Sequence, residues 1–142
     1  MRMTFRWYGK DDDTITLQQI QQIPGMEGIV GALFDVPVGE VWPLEPLQKM
    51  KEEAERYQLL FKDIESINVH EDIKLGKPSR DRYIENYIAS LKNAAKIGIE
   101  VVCYNFMPVF DWTRTDLAKP LFDGSTALAY DARMIAGKTP QQ

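Results

Sequence analysis

The sequence predicts an α/β protein built on a parallel sheet. Two observations carry this. Short apolar runs alternate with longer stretches whose apolar residues recur at helical spacing, in the order βαβαβαβ. The apolar runs also end in polar and aromatic residues. Val101-Val102-Cys103-Tyr104-Asn105-Phe106 and Ile64-Glu65-Ser66-Ile67-Asn68-Val69-His70 are the clearest cases, and the second holds the single histidine of the chain. Parallel α/β proteins assemble their sites from groups delivered at the carboxyl ends of buried strands.

Thr4-Phe5-Arg6-Trp7-Tyr8 reads as the first strand, stopped by Gly9 and the acidic turn Asp11-Asp12-Asp13. In the short helix that follows, Thr16 and Gln19 have capping-box spacing. The hydroxyl accepts from an orphan backbone N–H and the amide reaches back. Leu17 and Ile20 form its apolar side, and Pro24-Gly25 ends it. Gly28 to Phe34 is a second strand, apolar on both faces as a strand covered by helices should be. Leu47, Met50, Ala54 and Tyr57 then share one face of a second helix. Pro46 suits its first turn, and the charged run from Lys51 to Arg56 faces water.

A third strand runs from Phe61 to Ile67, interrupted by Lys62, Asp63 and Glu65. The longest helix lies near 80–97. Ser79 is its candidate N-cap, and Ile84, Tyr87, Ile88, Leu91, Ala94 and Ala95 form its buried stripe. Gly98 fits the left-handed position past its end. Ile99 to Tyr104 is the fourth strand, with Cys103 as a buried thiol. The strands are placed near residues 3–8, 28–34, 60–67 and 99–105.

After Asn105 no strong strand is expected. Any helix there is short, near Ala127 to Ile135, and Lys138 to Gln142 reads as a polar, frayed end. The organisation predicted is one domain over 1–142, with regular βα units over 1–107 and a long loop and tail over 108–142. A (β/α)8 barrel takes about 250 residues. Four βα steps therefore read as the first half of a barrel, or as part of a longer protein.

Composition narrows the function. A formal net charge of −4 argues against nucleic acid or an anionic membrane as the main partner. No apolar run approaches the roughly 18 residues of a membrane helix. Met1 to Arg6 lacks the apolar core of a signal peptide. A single cysteine excludes an intrachain disulfide, so a reducing cytoplasm is expected. One histidine and one cysteine cannot build a closed zinc site of the usual kind. Half a barrel leaves two sheet edges unpaired, so association with itself or with a missing half is expected.

Five segments resemble one family. They are Thr4-Phe5-Arg6-Trp7, Val36-Pro37-Val38-Gly39-Glu40-Val41-Trp42-Pro43, Val69-His70-Glu71-Asp72-Ile73-Lys74-Leu75-Gly76, the run from Arg80 to Tyr87, and the run from Cys103 to Thr115. They are similar to mannonate dehydratases, and the similarity extends from the start of the chain to about Asp131. The resemblance implies a TIM (β/α)8 barrel of the xylose-isomerase-like type, of which about four βα units are present. It implies a cytoplasmic hydro-lyase of hexuronate breakdown, converting D-mannonate to 2-keto-3-deoxy-D-gluconate with a divalent Mn or Fe ion. A cation on the carboxylate would stabilise the enediolate formed when a base takes the C2 proton, and an acid would help the C3 hydroxyl leave. The family is about twice this length or more. Its His, Cys and Asp metal ligands and its catalytic residues are expected beyond residue 142, so no metal ligand is assigned here and the chain alone is expected to be inactive.

The substrate-binding candidates are Arg6, Trp7, His70, Arg80 and Asn105. Arg6 and Trp7 end the first strand. A guanidinium matches a carboxylate with two parallel hydrogen bonds; the alternative is a packing Trp beside a surface Arg. His70 is either a substrate contact or a loop brace. Asn105 is a polar site residue or a turn former. Arg80, with Arg82, opens the longest helix and either reaches substrate or is solvated. Trp42, Phe110 and Trp112 lie in loops, as a lid, a subunit contact or simple packing. Two other readings stay open: a non-catalytic half-barrel acting as a self-associating or binding module, and a related sugar isomerase.

Overall fold

The computed structural model describes residues 1–107 and 113–138. The chain divides into two compact units, Met1–Phe106 and Met107–Gln142. The first contains, in order, β1 (Thr4–Arg6), α1 (Leu17–Gln21), β2 (Gly28–Gly31), α2 (Leu44–Arg56), β3 (Leu60–Ile64), α3 (Glu71–Lys74), α4 (Arg80–Lys96) and β4 (Val101–Val102). The four strands form one sheet in the order β1-β2-β3-β4, and every neighbouring pair is parallel. All four carboxyl ends therefore lie along one edge, as the alternation predicted.

Local chemistry explains the elements. The capping box of α1 is present: Thr16 Oγ1 accepts the Gln19 N–H at 3.2 Å, and Gln19 Oε1 accepts the Thr16 N–H at 2.8 Å. Leu17 and Ile20 are buried beneath it. On α2, Leu47 and Ala54 are buried while Met50 and Tyr57 pack at the margin of the core. Ile29, Phe61 and Ile64 fill the sheet's interior. Each such side chain contributes about 1.5–3 kcal/mol by leaving water. Gly98, with φ +86°, occupies the left-handed position after α4.

At the amino edge of the sheet, the Glu100 carboxylate receives Arg2 at 2.6 Å and Lys62 at 3.4 Å. Lys62 also donates to the Gly98 carbonyl at 3.0 Å. The approaches to β1 and β4 are thus tied together across both inner strands.

Several expectations need correction. The strands are shorter than predicted, and β4, Val101–Val102, is the shortest. Cys103 is exposed, not buried, just past β4, the edge strand of the four-stranded sheet. Ser79 does not cap α4. Its backbone is already helical and its hydroxyl donates to the Asp72 carboxylate instead. The stripe of α4 is only partly buried: Ala94 is enclosed, but Ile84 and Ile88 are 38% and 45% exposed and Ala95 is exposed. The short helix α3 was not foreseen.

The stretch expected to be without strands contains a hairpin. β5 (Asp116–Pro120) pairs antiparallel with β6 (Thr126–Ala129). The Asp123 carboxylate closes the connection, accepting the Ser125 N–H at 3.0 Å and its hydroxyl at 2.7 Å. In place of a helix near 127–135 there is the end of β6 and a 3₁₀ turn over Ala132–Met134, capped by Asp131. The expected tail at 139–142 lies outside the described residues, as do Phe110 and Trp112.

Candidate functional site

Arg6 is the last residue of β1, and its surroundings come from three strand ends. Its guanidinium lies over the Tyr8 ring at 4.6 Å and the Phe34 ring at 5.5 Å. Those two rings stack with centroids 5.8 Å apart. Nη1 is 3.4 Å from the carbonyls of Trp7 and Val30, and Nε is 3.8 Å from Glu65 beyond β3. Stacking fixes the plane of the guanidinium, and the loose contact with Glu65 leaves it able to accept a better-matched carboxylate. Trp7 is 3% exposed and donates its indole N–H to the Ile15 carbonyl at 3.1 Å. It packs in the core beside Arg6.

His70 follows β3 and caps α3. Its Nδ1 accepts the Asp72 N–H at 3.1 Å. The ring stacks on Tyr83 with centroids 3.6 Å apart and planes 12° apart. The third member of this layer is Gly39, with φ +91°. A Cβ there would come within 2.7 Å of both His70 and Tyr83. Only a residue without a side chain fits that approach at that φ. The Asp72 carboxyl is held below its ordinary range, chiefly by the Ser79 hydroxyl and further by His70 and Lys77.

The loop between β2 and α2 is pinned by α4. Asn86 donates to the Gly39 carbonyl at 2.8 Å, Ser90 accepts the Trp42 N–H at 3.0 Å, and Asn93 donates to the Trp42 carbonyl at 2.9 Å. Trp42 itself is buried, which makes it core packing and not a lid. These three residues were missed in the sequence. Their signal was polar side chains at i, i+4 and i+7 on one line of an otherwise amphipathic helix.

Two concavities flank the layer. Between the pinned loop and α4 is a cavity of about 30 Å³, bordered by Gly39, Asn68, His70, Tyr83, Tyr87 and Ser90. It has room for about one water molecule. A larger apolar groove of about 410 Å³ lies between α4 and β4, walled by Ile84, Tyr87, Ile88, Leu91, Val102 and Tyr104. Burial pushes the Tyr87 phenol up from its ordinary value, and Tyr104 adds to the effect.

Arg6, His70 and half-buried Asn105 thus share the carboxyl edge. They share it without direct hydrogen bonds to one another. Arg80 is exposed and 3.4 Å from Asp81 at the start of α4. Among the described residues no three His, Cys, Asp or Glu side chains converge to hold a metal ion. No helix among the described residues is long and apolar enough to cross a membrane.

Comparison with known proteins gives a consistent picture. The family model described as D-mannonate dehydratase (UxuA) matches residues 1–142. The chain is 64% identical to a mannonate dehydratase of Thermotoga petrophila over 142 residues, all of this chain and 39% of that protein. It is 61% identical to one from Shouchella clausii, again over the whole chain and 40% of the relative. The crystal structure of mannonate dehydratase from Streptococcus suis superposes with a TM-score of 0.91 at 58% identity, covering 100% of this chain and 40% of that one. The chain therefore spans about two fifths of the length of the relatives it matches.

Proposed function

The chain belongs to the D-mannonate dehydratase family, and we propose that it is the amino-terminal part of an enzyme that removes water from D-mannonate to give 2-keto-3-deoxy-D-gluconate. The observation that carries this reading is the match of the family model over every residue from 1 to 142. The parallel sheet is then the first half of a TIM barrel of the xylose-isomerase-like type, and the edge bearing Arg6, His70 and Asn105 is part of its active face.

In this reading the Arg6 guanidinium anchors the sugar acid's carboxylate, displacing Glu65 from its 3.8 Å contact. Trp7 supports Arg6 from the core. Asn105 offers an amide to a substrate hydroxyl, and Arg80 adds positive charge from the start of α4. His70 contacts substrate from the layer it forms with Tyr83 and Gly39. The catalytic acid and base, and the ligands of a divalent Mn or Fe ion, come from residues beyond 142. When bound, such an ion would stabilise charge developing on the substrate carboxylate. The enzyme works in the cytoplasm as a homo-oligomer. The exposed Cys103 thiol suits a reducing compartment.

The test is formation of 2-keto-3-deoxygluconate by the full-length protein with Mn, beside residues 1–142 alone. Metal-dependent turnover is expected only from the full-length protein, with Arg6→Ala raising KM for mannonate. Full-length protein inert on mannonate would refute the reading. Turnover by residues 1–142 alone would refute the placement of the catalytic groups.

A further inference from the structure

We infer that His70 presents its Nε2–H as a neutral hydrogen-bond donor to an oxygen of the sugar acid, and is not the base that removes a proton. The inference rests on the mannonate dehydratase reading and adds the role of one side chain to it. A neutral imidazole has one nitrogen that donates and one that accepts. Nδ1 faces the Asp72 N–H at 3.1 Å, so Nδ1 is the acceptor and the proton resides on Nε2. The competing partner, the Asp72 carboxylate, is already engaged by the Ser79 hydroxyl and lies 3.7 Å from Lys77. What Asp72 offers His70 is its backbone N–H.

The ring cannot readily turn to exchange the two nitrogens. Tyr83 covers one face at 3.6 Å, and the Cδ2 edge abuts Gly39 so closely that a Cβ there would lie 2.7 Å away. Gly39 is itself held by Asn86 through its carbonyl at 2.8 Å. One face, the Cδ2 edge and Nδ1 are thereby committed, which leaves Nε2. No hydrogen bond within the described residues uses it. No buried side-chain nitrogen or oxygen among them lacks a partner, so Nε2 faces solvent. A general base needs a free lone pair aimed at the proton it takes. The Nδ1 lone pair is spent on the α3 backbone, and Nε2 carries its proton. What remains is a fixed donor beside the strand ends, and the ligand chemistry that matches it is an oxygen acceptor such as a hydroxyl or carboxylate.

Two substitutions separate the donor from the cap. In His70→Asn the amide oxygen keeps an acceptor for the Asp72 N–H and the Nε2 donor is lost. In His70→Gln an amide N–H reaches the neighbourhood of Nε2 and the cap is lost. In the full-length enzyme with Mn, His70→Asn should raise KM for mannonate about tenfold. Its kcat should fall far less than the roughly 100- to 10,000-fold that removing a general base costs. His70→Gln should recover part of the KM. Nitrogen-15 NMR of histidine-labelled, metal-free full-length protein at pH 8 should show an unprotonated Nδ1 and a protonated Nε2, assigned by the signals missing from His70→Asn. The opposite tautomer overturns the inference, as does a wild-type KM or a base-sized loss of kcat in His70→Asn. A wild-type enzyme inert on mannonate overturns the substrate reading and the donor's proposed ligand, while the NMR result decides the tautomer independently.

Discussion

The hydroxyl of Ser90 accepts the Trp42 backbone N–H at 3.0 Å and donates to the Asn86 carbonyl at 2.9 Å. Ser90 is 1% exposed and Trp42 5%. One buried hydroxyl therefore satisfies a loop donor that has no strand or helix partner, and ties that loop to the middle of α4. Ser90→Ala leaves the Trp42 N–H buried and unpaired. The expected cost is about 1–3 kcal/mol, read as a lower urea midpoint at unchanged m-value.

Gly39→Ala tests the layer at the rim. The new methyl group meets His70 and Tyr83 at 2.7 Å from a residue with φ +91°. The left-handed backbone alone costs about 1–2 kcal/mol for a residue with a side chain, and the clash adds to it. Loss of near-ultraviolet circular dichroism from Tyr83, together with a lower melting temperature, is the expected result. An unchanged spectrum and melting temperature would mean that the three residues are not packed as a layer.

Ile88 is 45% exposed and stands in the wall of the apolar groove. If the remainder of a longer enzyme covers that groove, Ile88→Ala in full-length protein should cost about 2–5 kcal/mol, the range for a buried large-to-small change. A cost within about 0.5 kcal/mol, typical of a surface position, would show the groove open to solvent in the complete protein.

Glu100 gives a pH prediction. The Arg2 hydrogen bond, with Lys62 assisting, holds its carboxyl below the usual 4.5. A carboxyl depressed on folding contributes stability that is fully present above its unfolded value and lost as pH falls through the folded one. Glu100→Gln should therefore flatten the acid side of the stability profile, below about pH 4.5, and lower stability at pH 7. Parallel wild-type and variant profiles from pH 7 down to acid unfolding would contradict the assignment.

Legibility in the sequence followed the range of the interaction. The Thr16–Gln19 box and the end of α4 at Gly98 could be read because each involves a few neighbouring residues. The parallel order of the strands was legible because alternation with helices permits little else. Ser79 failed as a cap because Asp72, seven residues away, takes its hydroxyl. Cys103 failed as a buried thiol because burial depends on what lies beyond β4, which no local pattern reveals. The β5–β6 hairpin was obscured by strand segments rich in Ala, Asp, Lys and Pro, all poor in β-propensity, although the turn at Asp123 was a visible signal. At the rim, Arg6 and His70 stood out by residue type and position. The hydrogen bonds of Asn86, Ser90 and Asn93 to the loop cross 47 to 51 residues of sequence and could not be read locally.

Tyr87 borders the small cavity behind His70 and also the apolar groove beside β4. A single ring is thus a partition between two compartments. A group pressed against it from the groove is expected to alter the room behind the imidazole and the pinned loop. Order at the rim is consequently conditional on how the groove is filled. On the proposed reading, a substitution there detunes ligand recognition with no change to any group that meets the ligand.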